Sequence, residues 1–247
     1  MTLEQLEPKE VFHYFEEICK IPHGSGNVKQ ISDYCVDFAK QHGLKYRQDE
    51  SLNVIIWKDG TSGYENSPAV ILQGHIDMVA VKEEDCVKDM EKEGLDLEIQ
   101  DGYLSAKQTS LGGDDGIAVA YSLALLASTD IPHPPLVAGF TVEEEIRMLG
   151  AAAIDLSDLN GNIMLNMDSE DEGIFLAGCA GGASVRCDIP VTIGTETGVG
   201  RTLTLKGFTG GHSGTEIICQ RANTNVLMGR ILMELNNEMS FFVTSIS

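Results

Sequence analysis

Apolar and polar positions follow two different periods along the first 170 residues. Apolar side chains recur at helical spacing over residues 8–21 and 28–42, and these stretches end at Pro22 and Gly43. Four short apolar runs are typical of buried strands: residues 53–57, 69–73, 136–142 and 162–167. Residues 115–128 are small and apolar, as in a helix packed on a sheet. Strands that alternate with helices predict a layered α/β domain.

A charged segment at residues 81–100 separates the second apolar run from the helix predicted at 115–128. It mixes acidic and basic side chains and lacks sheet periodicity, so we interpret it as a surface excursion. Its acidic residues are interpreted as solvated side chains rather than as calcium ligands.

The pattern of apolar and polar residues changes after a glycine-rich break at residues 177–185. Apolar residues then alternate with polar ones over 184–189 and 202–208, which is the period of a strand, and an amphipathic helix is predicted over 223–236. We therefore place a domain boundary close to Gly182, with domains at 1–182 and 183–247. Because the last residues are apolar with no closing element, we expect the second domain to be incomplete.

The charge balance limits the partners of the chain. With 38 acidic and 17 basic residues the formal net charge is −21, which argues against nucleic acid and anionic membranes and suits cations. No apolar stretch reaches the roughly 18 residues of a membrane span, and the amino terminus lacks a leader pattern, so we expect a cytoplasmic protein. Its six cysteines lack CxxC spacing, which favours free thiols.

Residues of the kinds that bind metals cluster in four stretches, three of which directly follow a predicted strand. They are His75 with Asp77, Asp114 with Asp115, the run Glu143–Glu144–Glu145, and Asp168. In open α/β sheets, groups remote in sequence converge outside the carboxyl ends of the strands. One histidine and several carboxylates at one place would suit a pair of zinc ions, as in amide hydrolases.

Each stretch alone also has a structural explanation. His75 could be a structural histidine bonded to a neighbour, although period 2 places Asp77 on its face, where it could fix the imidazole tautomer. Either aspartate of the pair Asp114–Asp115 could cap a helix. The three glutamates could begin a helix, and Asp168 could lie in a solvated turn.

Taken together, the motifs resemble those of the aminoacyl-histidine dipeptidases, of the co-catalytic zinc aminopeptidase-carboxypeptidase superfamily. The resemblance covers nearly the whole chain and rests on GHIDMV, TSLGGDDG, TVEEE, NMDSEDEG, GCAGG and GFTGGHSGTEI. It implies a mixed, largely parallel sheet flanked by helices in the first domain, and the start of an α+β lid or dimerisation domain in the second.

The resemblance also implies roles for individual residues. His75 and Asp168 would bind one divalent ion, Glu145 the other, and Asp114 would bridge the two. Asp77 would orient His75. The ions would be zinc, with manganese or cobalt as alternatives.

The family's glutamate pair follows a threonine and two further residues. By this register Glu144 would be the general base, Glu145 the ligand, and Glu143 a solvated residue. The resemblance further implies a cis peptide bond between Asp114 and Asp115. It assigns to His212 contact with the scissile carbonyl, often in a partner subunit of a dimer formed through the lid.

The implied activity is hydrolysis of Xaa-His dipeptides by a water that two metal ions activate. The family's last metal ligand is a histidine beyond the end of this sequence, so we expect an incomplete second zinc site. Two alternatives remain: another di-metal amidohydrolase, such as a tripeptidase or an N-acyl amino acid deacylase, or an inactive metal-binding fragment.

Overall fold

The computed structural model describes residues 3–169, 173–178, 183, 185–195, 197–211 and 216–246. The chain divides into two compact units, Met1–Ile174 and Phe175–Ser247. The assignment of domains to 1–182 and 183–247 stays a prediction.

The first unit contains a five-stranded mixed sheet. Its strands are β1 (Lys45–Gln48), β2 (Val54–Lys58), β3 (Val70–His75), β6 (Leu136–Thr141) and β7 (Ile163–Asn166), and a separate hairpin consists of β4 (Leu97–Gln100) and β5 (Tyr103–Ala106). The order in the sheet is β1-β2-β6-β3-β7. Strand β3 is parallel to β6 and β7, whereas β2 is antiparallel to β1 and β6. The predicted α/β class is confirmed.

Helices cover the sheet and enclose the core. They are α1 (Lys9–Cys19), α2 (Lys29–Gln41), α3 (Gly113–Ala127) and the short α4 (Leu149–Ala153). Helix α1 buries Val11, Tyr14, Phe15, Ile18 and Cys19, which share one face at helical spacing. All six residues of β6 are buried, as expected for a central strand. The predicted helices and strands of this layer agree with the structure within about two residues.

A glycine lets α3 approach the end of β3. A Cβ at Gly74 would lie 2.9 Å from both Ala118 Cβ and Asp115 Oδ2, so no larger residue fits without a shift. This close approach brings the first residues of α3 to the carboxyl end of β3.

The hairpin is a correction to the sequence analysis, because β4 lies within the segment interpreted as lacking sheet periodicity. Leu97 pairs with Ala106, and both Leu97 and Leu104 pack against the core. The two residues between the strands, Asp101 and Gly102, both have positive φ, the conformation for which Asp-Gly hairpin turns are selected. This dipeptide was the overlooked signal. Strand β1 was also missed.

The second unit contains the helix α5 (Thr224–Glu238), which matches the helix predicted at 223–236. The side chain of Asn223 caps it by accepting a hydrogen bond of 3.1 Å from the Val226 N–H. The alternating stretches form no strand at the described positions 185–189 and 202–208, which corrects that expectation. A strand requires the hydrogen-bond ladder of a neighbour, and alternation alone does not supply one.

Across the part of the chain that the structure describes, no helix is long and apolar enough to cross a lipid bilayer.

Candidate metal centre

The predicted metal-binding residues lie where three parallel strands end. His75 is the last residue of β3 and is paired with Thr141, the last residue of β6. Glu144 and Glu145 follow β6 closely, and Asp168 follows β7. Because parallel strands end at the same edge of a sheet, residues far apart in sequence meet there.

His75 is buried and held through both ring nitrogens. Its Nε2 lies 2.9 Å from Asp114 Oδ1, and its Nδ1 lies 2.9 Å from the backbone carbonyl oxygen of Asp77. The Asp77 carboxylate, expected to orient the ring, is farther from Nδ1, at 3.5 Å. The His75 backbone N–H donates to Asp115 Oδ2 at 3.2 Å. These contacts leave the imidazole little freedom to rotate.

The carboxylate of Asp77 connects three segments of the chain. It accepts hydrogen bonds from Ser25 Oγ at 2.8 Å, from the Glu144 N–H at 3.0 Å and from the Glu145 N–H at 3.4 Å. Burial alone would raise the pKa of Asp77, but hydrogen bonds with His75, the Glu144 N–H and Ser25 outweigh burial and lower it. Asp77 is therefore an anion that holds the backbone of the glutamate pair.

A buried asparagine fixes both ends of the glutamate loop, which we define as residues 142–150. Asn53 Oδ1 accepts from the Val142 N–H, and Asn53 Nδ2 donates to the Gly150 carbonyl oxygen, both at 3.1 Å. Nδ2 also lies 2.7 Å from Asp49 Oδ2. A Cβ at position 150 would collide with the Val142 oxygen and Asn53 Oδ1, so this closure requires glycine.

The start of α3 directs two adjacent aspartates to different parts of His75. Gly112 is the N-cap with φ 67°, and Asp114 and Asp115 have non-helical backbone angles at a kink in the first turn. The Asp114–Asp115 peptide bond is cis, as the resemblance implied. Asp114 faces the ring and its side chain is 58% exposed, whereas Asp115 is buried and accepts the His75 N–H.

Two groups of side chains are placed to hold a cation. One ligand atom from each of His75, Asp114 and Asp168 lies within 4.8 Å of the others, and the same holds for His75, Glu144 and Glu145. Imidazole nitrogen with carboxylate oxygen is a donor set that zinc and similar divalent ions accept, so the residues fit such an ion.

The groups correspond to the predicted ligands in part. The first brings together the predicted ligands His75 and Asp168 with the predicted bridge Asp114. The second places Glu145 beside His75 and Glu144, although Glu145 was assigned to the other ion. His212 lies outside the described residues. The individual roles stay predictions.

The electrostatics of the site show crowding of negative charge. Burial alone would lower the pKa of His75, but hydrogen bonds with Asp114 and Asp77 raise it to about 11. Burial raises the pKa of Asp115 to about 7, against the opposing effect of His75. Burial also raises the pKa of Glu144 and Glu145, and neighbouring carboxylates add to the shift. A cation is the partner that such a cluster favours.

Four residues of this site were missed or given no role in the sequence analysis: Ser25, Asn53, Asp115 and Glu143. Two signals pointed to them, the doubled aspartate of LGGDDG and the glycines on either side of Ser25. Asn53 had no such signal, because a lone asparagine before a strand is common.

No family model matches the chain, but individual known proteins do. Over 235 residues the chain is 40% identical to the cytosol non-specific dipeptidase of Escherichia coli (strain K12), covering 93% of this chain and 48% of the relative. The crystal structure of aminoacylhistidine dipeptidase from Vibrio alginolyticus is 40% identical, with a TM-score of 0.68, over 70% of this chain and 35% of that chain. The chain is therefore similar to two dipeptidases at 40% identity.

This similarity confirms the resemblance inferred from the motifs. The chain spans about half the length of the curated relative, 48%. A tripeptidase from Staphylococcus aureus subsp. aureus Mu50 shares the fold, with a TM-score of 0.56 and 23% identity over 66% of this chain and 44% of that chain.

Proposed function

We propose that this chain carries the catalytic metal centre of a metal-dependent dipeptidase that cleaves Xaa-His dipeptides. The observation that supports this most is the convergence of His75 with two groups of carboxylates at the carboxyl ends of β3, β6 and β7. The relatives that share 40% identity are named as dipeptidases, one of them as acting on aminoacyl-histidine.

In this proposal the centre would hold two divalent ions, zinc in the first place. His75 and Asp168 would hold one ion, Glu145 would hold the other, and Asp114 would be a ligand of both. Ions at these ligands would supply Lewis-acid activation of water and of the peptide carbonyl. Asp77 keeps the His75 ring and the glutamate backbone in place for them.

Glu144 moves the proton of the reaction. Its carboxylate takes a proton from the attacking water as the C–O bond forms, and returns it to the amide nitrogen as the C–N bond breaks. Burial raises the pKa of Glu144 above its ordinary value, which favours its acting as a proton acceptor and donor. The hydrogen bond from its N–H to Asp77 Oδ1 fixes the backbone from which it acts.

The remaining assignments complete the proposal. The substrate is a small dipeptide that releases free histidine, and the protein works in the cytoplasm, the compartment in the name of the Escherichia coli relative. A homodimer through residues 183–247 would let His212 contact the scissile carbonyl in the partner's site.

The test compares Glu144→Gln with Glu84→Gln in the complete gene product. Glu84 is exposed in the surface excursion, so it controls for the loss of one carboxylate. Hydrolysis of β-Ala-His should fall by about 10²–10⁴-fold in Glu144→Gln, since proton transfer is lost, and should be unchanged in Glu84→Gln. Zinc content should stay the same in both.

Substrate choice is measured on the same samples with a tripeptide and with N-acetylhistidine. Faster cleavage of the tripeptide would indicate a tripeptidase, and faster cleavage of N-acetylhistidine would indicate a deacylase. Either result would overturn the dipeptidase proposal. Full activity of Glu144→Gln would show that Glu144 is not the general base. Activity that survives complete chelation would show that the reaction needs no metal.

A further inference from the structure

The glycine loop, which we define as residues 23–27 (HGSGN), lies against the segment that follows β3. The Met78 N–H donates to the His23 carbonyl oxygen at 3.2 Å, and the Ser25 N–H donates to the Met78 oxygen at 3.1 Å. A Cβ at Gly24 would lie 2.6 Å from Ala80 Cβ, so the contact requires glycine there. The loop is thereby fixed beside Asp77.

Two side chains fasten this loop to the metal centre. Ser25 Oγ donates to Asp77 Oδ2 at 2.8 Å. The Gly26 N–H lies 3.0 Å from both carboxylate oxygens of Glu143, 117 residues away. Asp77 in turn accepts the N–H groups of Glu144 and Glu145, so the contacts form a closed circuit through the glycine loop and the glutamate loop.

The backbone of Glu143 indicates that its position is constrained. Its φ is 57°, in the left-handed region that residues other than glycine rarely adopt. This conformation directs the Glu143 side chain to Gly26, while the next two residues present their N–H groups to Asp77. Glu143 therefore binds the glycine loop, whereas the sequence predicted only a solvated side chain.

We propose that Ser25 and Glu143 are positioning residues of the metal centre. Ser25 sets the orientation of the Asp77 carboxylate, and Glu143 holds the glycine loop against the glutamate loop. Neither is assigned contact with a metal ion or with substrate. The proposal rests on the proposed function, because it concerns the geometry of the same centre.

The experiment measures zinc affinity by calorimetry, thermal stability, and kcat and KM on β-Ala-His, all with the complete gene product. Ser25→Ala and Glu143→Ala should each lower zinc affinity and kcat by about 10–100-fold, with KM and Tm nearly unchanged. The double variant should be little worse than either single one, because both act on one circuit.

Conservative variants separate positioning from charge. Ser25→Thr keeps the hydroxyl, and Glu143→Gln keeps an acceptor oxygen while removing the charge, so both should recover most of the zinc affinity. Glu84→Ala removes the same charge from an exposed site and should behave as wild type. Hydrogen exchange at the Gly26 amide should be faster in Glu143→Ala than in Glu143→Gln.

Wild-type zinc affinity and kcat in both alanine variants would overturn the proposal. It would also be overturned if Glu143→Gln matched Glu143→Ala, since charge alone would then explain the loss, or if the wild-type protein bound no zinc. Reduced zinc affinity in the alanine variants of a protein that cleaves no dipeptide would support positioning and reject the proposed function.

Discussion

Two acidic regions of the first unit differ in what their carboxylates face. In the surface excursion, residues 81–100, acids are paired with lysines close in sequence: Lys92 lies 2.7 Å from Asp89, and Lys88 lies 3.1 Å from Asp96. The hydrogen bond from Lys92 lowers the pKa of Asp89. Each of these two carboxylates thus faces a lysine of the same segment.

In the metal centre the sheet brings together carboxylates from distant parts of the chain. Burial raises the pKa of Glu144, and Asp168 and Asp114 raise it further. The pKa of Glu144 is thus raised, whereas that of Asp89 is lowered. A run of acids becomes a binding site when the fold brings like charges together, because a cation then removes the repulsion.

The largest expected difference follows from removing one carboxylate from each region. Asp114→Asn takes away an anion of the His75–Asp114–Asp168 group, and zinc affinity should fall by more than about 100-fold, beyond the usual loss for an indirect contact. Asp89→Asn removes the same charge from the excursion and should bind zinc as wild type does. Calorimetric titration with zinc measures both.

Equal losses in the two variants would mean that overall charge attracts the ion and that no specific centre exists. A Tm close to wild type shows that Asp114→Asn has not simply unfolded the site.

The sequence predicted the fold and the members of the site because both leave regular patterns. Burial on both faces makes β6 a continuous apolar run, and helical spacing on α1 sets its buried face. His75 and Asp168 were predicted as ligands because ligands in α/β sheets gather after strands, and the structure brings them together with Asp114. The order β1-β2-β6-β3-β7 was not predicted, since periodicity does not specify which strands pair.

The supporting contacts were out of reach for a different reason. Asn53 bonds Val142 and Gly150, which lie 89 and 97 residues away, and Glu143 bonds Gly26, 117 residues away. Such bonds depend on atomic positions that exist only after the strands have paired. The local motifs predict which residues carry the chemistry, whereas partners such as Asn53 and Gly26 come from elsewhere in the chain.

A smaller difference between the regions should appear in the pH dependence of zinc binding. The pKa of His75 is raised to about 11, so at neutral pH the ring carries a proton that a ligand nitrogen must lose. Zinc affinity should therefore rise by about tenfold or more per pH unit between about pH 6 and 8. Asp89, whose pKa is lowered, is already ionised and contributes nothing to this slope.

Calorimetry in two buffers of different ionisation enthalpy counts the released protons directly. At least one proton per first zinc ion is expected in the wild type and in a His42→Gln control, whose histidine is exposed. Binding that releases no proton would mean that His75 is not a ligand.

The smallest effect is expected from Lys92→Met, which removes the partner of Asp89. Both side chains are largely exposed, at 77% and 43%, so Tm should change by less than about 2 °C. The pKa of Asp89 should rise towards its ordinary value, which an NMR titration of its carboxyl group measures.

Because that pKa is lowered in the folded protein, the stabilisation is present above the ordinary pKa and is lost on acidification through the folded value. Lys92→Met should remove this small acid-sensitive contribution and leave zinc affinity unchanged. A weaker zinc affinity in this variant would show that the excursion helps to form the centre, and the separation between the two acidic regions would fail.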